Sequence, residues 1–132
     1  RNKMNKSKLF NRYSMVLLAS LFVVLFAQCA NNESRFIGLW KWERMEVGDD
    51  TPLAFLNELK FFKGGNVAYY YVRSFPTSSH NGVGEYKLLD SNNVLITVED
   101  RNTWLFSFEF KDSKTMVLTD RFKTKHYYNK VN

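Results

Sequence analysis

From Phe36 onward, apolar and polar residues alternate with a period of two, and turn-forming clusters interrupt them at short intervals. Thr103 to Lys111 (TWLFSFEFK) is the clearest case. Trp104, Phe106, Phe108 and Phe110 fall on one face, and Thr103, Leu105, Ser107, Glu109 and Lys111 on the other. Side chains alternate faces along a strand, whereas in a helix these four rings would spiral around the axis. The same reading predicts strands over 36–47, 58–63, 66–73, 84–89, 94–99, 115–120 and 125–130. Tyr69 and Tyr71 share one face of the third strand, with Tyr70 opposite. Tyr86 and Leu88 share a face of the fourth.

The interruptions have their own chemistry. Gly64-Gly65 supplies the positive φ of a tight hairpin turn. Asp90-Ser91-Asn92-Asn93, Asp100-Arg101-Asn102 and Asp112-Ser113-Lys114 are turn clusters. Leu53 to Asn57, after Asp50-Thr51-Pro52, is expected to form a short helical connector, with Asp50 or Thr51 as N-cap and Pro52 near its first turn. Ser74 to Gly82 (SFPTSSHNG) is expected to be the longest loop. Short connections favour antiparallel neighbours, and eight strands in a meander can close on themselves and leave no open edge. The expected fold is therefore all-β: an antiparallel eight-stranded up-and-down meander barrel, preceded by an N-terminal signal-peptide helix.

The beginning of the chain changes the meaning of its charge. There are 19 Lys+Arg against 13 Asp+Glu in 132 residues, a net +6. Arg1, Lys3, Lys6, Lys8 and Arg12 all precede the first apolar run and no acid does, so past residue 28 the balance is 14 basic against 13 acidic. The basicity is that of a targeting segment, not of a nucleic-acid surface. Met15 to Ala27 (MVLLASLFVVLFA) is uncharged but shorter than the about 20 residues of a membrane-spanning helix. A basic start, a short apolar run and small residues after it form a secretory signal peptide. The expected organisation is a lipoprotein signal peptide over 1–28, a polar tether over 29–35 and a barrel domain over 36–132.

Two resemblances add to this. Leu25-Phe26-Ala27-Gln28-Cys29 resembles the lipobox of bacterial lipoproteins, which implies lipid attachment at Cys29, the sole cysteine. Ordinary cleavage nearby, or an uncleaved anchor with Cys29 incidental, is the other reading. Acyl chains, at about 0.8 kcal/mol per buried CH₂, would hold the protein on a membrane of the cell envelope. Ala30 lacks the Asp that signals inner-membrane retention in enteric bacteria, so the outer membrane is expected over the inner. Gly38-Leu39-Trp40 resembles the Gly-x-Trp motif of lipocalins. In order, Gly38/Trp40, Phe61 with Gly64-Gly65, Gly84/Tyr86, Met116/Leu118 and Tyr128/Lys130 resemble small lipocalin-like lipoproteins of Bacteroidetes-type bacteria, over roughly residues 36–130. The resemblance implies a small barrel, often of unknown ligand, in which the motif Trp closes one end beneath a late basic residue. Arg121 is the nearest candidate for that residue.

Chemistry is sparse. A hydrolytic triad needs a nucleophile, a base and an orienting group. His80 reads as a solvated loop histidine and His126 as a half-exposed strand residue. Neither has the paired ligand spacing of a zinc site. No catalytic residue, metal or cofactor is expected. Glu43, Glu46, Asp49 and Asp50 read as a solvated acidic loop, with weak calcium binding as the alternative. Tyr69-Tyr70-Tyr71 lacks the interleaved basic groove of a nucleic-acid platform, so no nucleic-acid partner is expected.

What remains is the aromatic interior. An eight-stranded barrel is wide enough either to be filled by its own side chains or to hold one small ligand. Trp40, Tyr86, Trp104, Phe106 and Phe108 are bulky enough to fill it. A ligand module would grip a small apolar or aromatic molecule with Tyr69, Tyr71 and Tyr86. It would need an apolar cavity of about 300 Å³ or more. A filled barrel would instead present a surface, including Phe62, Tyr70 and Leu105, to another envelope protein. An enzyme has no positive sign.

Overall fold

Eight strands follow one another along the chain: β1 (Gly38–Glu46), β2 (Ala54–Phe61), β3 (Asn66–Ser74), β4 (Thr77–Leu88), β5 (Asn93–Val98), β6 (Asn102–Asp112), β7 (Thr115–Thr119) and β8 (Lys125–Val131). Each pairs antiparallel with the next, and β8 pairs with β1, closing the barrel. The computed structural model describes residues 32–98 and 102–132. The expected signal peptide over 1–28 and Cys29 lie outside them. Among the described residues, no helix is long and apolar enough to cross a membrane.

The period-two pattern becomes an inside and an outside. On β6, Phe106 and Phe108 are buried, Trp104 and Phe110 pack against the same core, and Leu105 is 52% exposed on the outer face beside Ser107 and Glu109. Across the ladders, Leu59 stands opposite Tyr69 and Phe61 opposite Val67, all four buried. Gly64 and Gly65 take φ of 100° and 95° in the β2–β3 turn, as a tight hairpin requires.

Three local expectations are corrected. The helical connector over Leu53 to Asn57 is strand: Ala54, Phe55 and Leu56 pair with Arg73, Val72 and Tyr71, and a bulge at Asn57 restores the register. One and a half turns of helix carry too few hydrogen bonds to offset nucleation, whereas pairing with β3 satisfies the backbone groups on that side of the segment. The loop over Ser74 to Gly82 is a hairpin turning at Phe75-Pro76, with β4 paired to β3 from Ser74↔Thr77 to Asn66↔Glu85. Its polar residues are half of an alternating strand at the rim. Gly82 is needed there because the Tyr69 ring lies across it; a Cβ would fall inside the tyrosine hydroxyl. Phe36 does not begin β1. Residues 32–36, mostly expected as tether, form a helical turn that delivers Phe36 into the core.

That turn closes one end of the barrel. The Phe36 ring lies 4.9 Å from both Phe108 and Phe110 and 5.1 Å from Phe61. Trp40 Nε1–H donates to the Phe36 carbonyl at 2.8 Å. The late basic residue over the motif tryptophan is Lys130, its Nζ 5.5 Å from the Trp40 ring. Arg121 is in the β7–β8 loop, over Phe122. Register explains the exchange: Trp40 pairs with Lys130 on β8, while Arg121 precedes that strand.

Candidate functional site

The β2–β3, β4–β5 and β6–β7 turns gather at the closed end. The β1–β2, β3–β4 and β7–β8 connections ring the other, open end, beside the end of β5 and the start of β6. Below the open end an aromatic layer spans the interior. Tyr71 and His80, opposite each other on β3 and β4, have ring centroids 4.9 Å apart. Trp104 lies 6.3 Å from Tyr71 and stacks on Phe106 at 5.8 Å. Phe106 meets His126 edge-on at 6.4 Å. β1 and β2 pair only as far as Lys41↔Glu58, and where they part the Trp42 and Phe55 rings fill the gap, 4.5 Å apart.

His126 is 1% exposed, not half-exposed as expected. Alternation places it inward with Tyr128, two residues on. Its Nδ1 accepts the Trp42 indole N–H at 3.3 Å, so the neutral ring carries its proton on Nε2, which donates to Asp120 Oδ2 at 3.2 Å. Burial pushes the His126 pKa below its ordinary value, against the hydrogen bond it donates to Asp120 and the charge of that carboxylate. The other Asp120 oxygen accepts the Phe122 and Thr124 backbone N–H groups, shaping the β7–β8 loop. That loop is sewn to its neighbours. Asp49 N–H donates to the Phe122 carbonyl at 2.7 Å and Gly48 N–H to Thr124 Oγ1; the β1–β2 connection is tied in turn to the end of β3, where Ser74 N–H donates to the Leu53 carbonyl. The histidine therefore supports the rim of the open end.

Above the aromatic layer lies a recess of about 220 Å³, lined by Tyr71, Arg73, Ser78, His80, Val98 and Asn102. His80, expected in a solvated loop, is half-buried on the inner face of β4. Two further hollows lie outside the barrel. One, of about 510 Å³, runs over β1–β4 with Leu39, Ala68, Tyr70 and Val83 among its walls, beside Lys60 and Glu58. The other, about 300 Å³, is a polar groove over β6–β8, with Glu109, Lys111 and Lys125. Phe62, Tyr70 and Leu105 do not form one patch, because β3 and β6 are separated by two strands.

The three tyrosines expected to share a ligand are divided. Tyr69 and Tyr71 are neighbours on the inner face, each beside His80. Tyr86 packs at the closed end against Phe61 at 4.9 Å, and its hydroxyl donates to the Phe62 carbonyl at 2.8 Å. Burial pushes its pKa up to about 12. Gly38 and Trp40 stand at the closed end as described. Of the acidic cluster, Glu46 pairs with Arg44 and Glu43 accepts from Asn129. Among the described residues, no group of three or more His, Cys, Asp or Glu could hold a metal ion. The period-two pattern alone could have turned His126 inward, but nothing local paired Arg73 with Ser78.

No family model matches the chain, and no curated protein does. Among solved structures, the crystal structure of an uncharacterized protein from Bacteroides eggerthii DSM 20697 is similar, with a TM-score of 0.52 and 19% identity. The match covers 73% of this chain and 99% of that one. At that identity the likeness concerns the fold alone.

Proposed function

We propose that this protein is a non-catalytic interaction module of the cell envelope. In this reading it is tethered through acyl chains on Cys29 and offers the outer face of a filled, lipocalin-like barrel to another envelope protein. The observation that supports it most is the internal satisfaction of the core. Trp40, Phe61, Phe106 and Tyr128 are fully buried. The polar atoms of three core aromatics are bonded to the chain's own backbone: Trp40 to Phe36, Tyr86 to Phe62, and Tyr128 to Leu56 at 2.6 Å. A buried polar group that a ligand was meant to satisfy would lack such a partner. The larger apolar hollow is on the outside, over β1–β4. With the anchor at Cys29, the closed end, where residue 32 enters, faces the membrane. A photo-crosslinking residue in place of Val83 or Tyr70, introduced in the native host, should give one discrete protein adduct, and one in place of Glu109 should not. Equal adducts at all three positions, or none at any, would overturn the reading.

A further inference from the structure

We infer that the seam between β1 and β2 takes up a basic, extended peptide segment of a partner chain as an added strand. This goes beyond the interaction reading. It uses backbone edges rather than the outer hollow over β1–β4, and it can fail without that reading failing.

The seam is where the ladder of the barrel stops short. β1 runs to Glu46, but its pairing with β2 ends at Lys41↔Glu58. Trp42 to Glu46 and Ala54 to Asn57 part there, and among the described residues no strand pairs with either of the edges that face the gap. Both stretches are nevertheless held extended from behind. β8 pairs with β1 from Trp42↔Tyr128 to Glu46↔Lys125, and β3 pairs with β2 at Ala54, Phe55 and Leu56. Extended backbone turns N–H and C=O groups to a given edge at every second residue, so a fixed, open edge is a template for one more strand.

Side chains define the strand that fits. Alternate side chains of an added strand would point to the gap, where the Trp42 and Phe55 rings lie 4.5 Å apart. Leu53, which precedes β2, is 62% exposed. These residues favour an apolar side chain at every second position of the peptide. Its other side chains would meet the charges that border the seam. Between residues 41 and 58 there are five carboxylates, Glu43, Glu46, Asp49, Asp50 and Glu58, against Lys41 and Arg44. Both cations are engaged, Lys41 with Glu58 at 3.6 Å and Arg44 with Glu46 at 3.1 Å. Lys125 and Arg73 lie one strand further out, opposite Glu46 and Ala54. Acids along an open edge repel strands of like charge and admit basic ones.

The test titrates the full chain, in neutral detergent, with the acetylated and amidated heptapeptide Lys-Val-Lys-Phe-Lys-Val-Lys, followed by calorimetry and by hydrogen exchange. The peptide should bind saturably at one site, at least about tenfold more tightly than Glu-Val-Glu-Phe-Glu-Val-Glu, as a few exposed charge pairs would give. Amide protection should rise within 42–46 or 54–57 and stay unchanged within 66–74. N-methylation of one alternate set of peptide amides should abolish binding, because those amides bond to the strand edge. Glu43→Gln with Asp49→Asn should narrow the charge preference, and Glu43→Lys with Asp49→Lys should reverse it, with the near-ultraviolet dichroism of the core retained. No saturable binding, binding indifferent to N-methylation of both sets, protection outside the seam, or a charge preference unmoved by these variants would each overturn the proposal. The crosslinking at Val83 reads the outer face and would stand or fall separately.

Discussion

The indole N–H of Trp42 donates to Nδ1 of His126 across 3.3 Å, linking β1 to β8 just below the open end. The histidine can accept there only while Nδ1 is unprotonated. Protonation would set two N–H groups against each other and place a charge in a site from which water is excluded. Asp120 stabilises that charge in part, but burial outweighs it. The stitched rim of the open end depends on this ring through Asp120.

Stability should therefore depend on pH in a defined window. The folded-state pKa of His126 is lowered from 6.5, so the unfolded chain takes up its proton first as pH falls. The contribution is complete above that pH and is lost below it. The exposed carboxylates Glu46, Asp90 and Asp112 are lowered from 4.5, 3.8 and 3.8, and their contributions vanish only as pH falls through still lower values. Urea midpoints should drop between about pH 7.5 and about pH 5.5 in the native protein and stay flatter in His126→Gln. An unchanged slope in that variant would assign the effect elsewhere.

The two faces of β6 should differ sharply in cost. Phe108 is 9% exposed and packs on Phe36 and Phe110. Phe108→Ala should cost about 3–5 kcal/mol, whereas Glu109→Ala on the outer face should cost under about 0.5 kcal/mol. Phe36→Ala should resemble Phe108→Ala, since that ring plugs the closed end. Chemical denaturation of the three variants checks this, and similar midpoints for Phe108→Ala and Glu109→Ala would mean a wrong register.

Gly82 and Tyr69 should be energetically coupled. A methyl group at residue 82 would collide with the Tyr69 ring, which is 5% exposed and held by the core. Gly82→Ala should cost about 1–3 kcal/mol, and much less when Tyr69 is already Ala. A double-mutant cycle in denaturant measures the coupling. Strict additivity would show that the ring can move aside freely.

Cys29→Ser should abolish acylation, because a hydroxyl cannot replace the acceptor thiol in lipoprotein processing. Metabolic labelling with a fatty-acid probe distinguishes the outcomes. Equal label on both proteins would remove the membrane tether from the proposed function.

Period two along the chain was enough to read eight strands, their antiparallel order and which face of β6 turns inward, because alternation is a local property of the backbone. Phe106 and Phe108 could be placed from their neighbours in sequence alone. Residues 53–57 and 74–82 could not. The first is a short apolar stretch just after Pro52 and the second a polar stretch containing Pro76; both have weak local preferences, and the strand beside them decides. Tertiary structure also decided which aromatics meet. Tyr86 left the expected ligand trio because the β3–β4 register sets it beside the Gly64-Gly65 turn, against Phe36 and Phe61, and Lys130 took the place foreseen for Arg121 because of the β1–β8 register. The open-end recess arises from pairing across β3 and β4, which brings Arg73 to Ser78 and Tyr71 to His80. Such proximity depends on barrel closure and register, quantities that no short window of sequence contains.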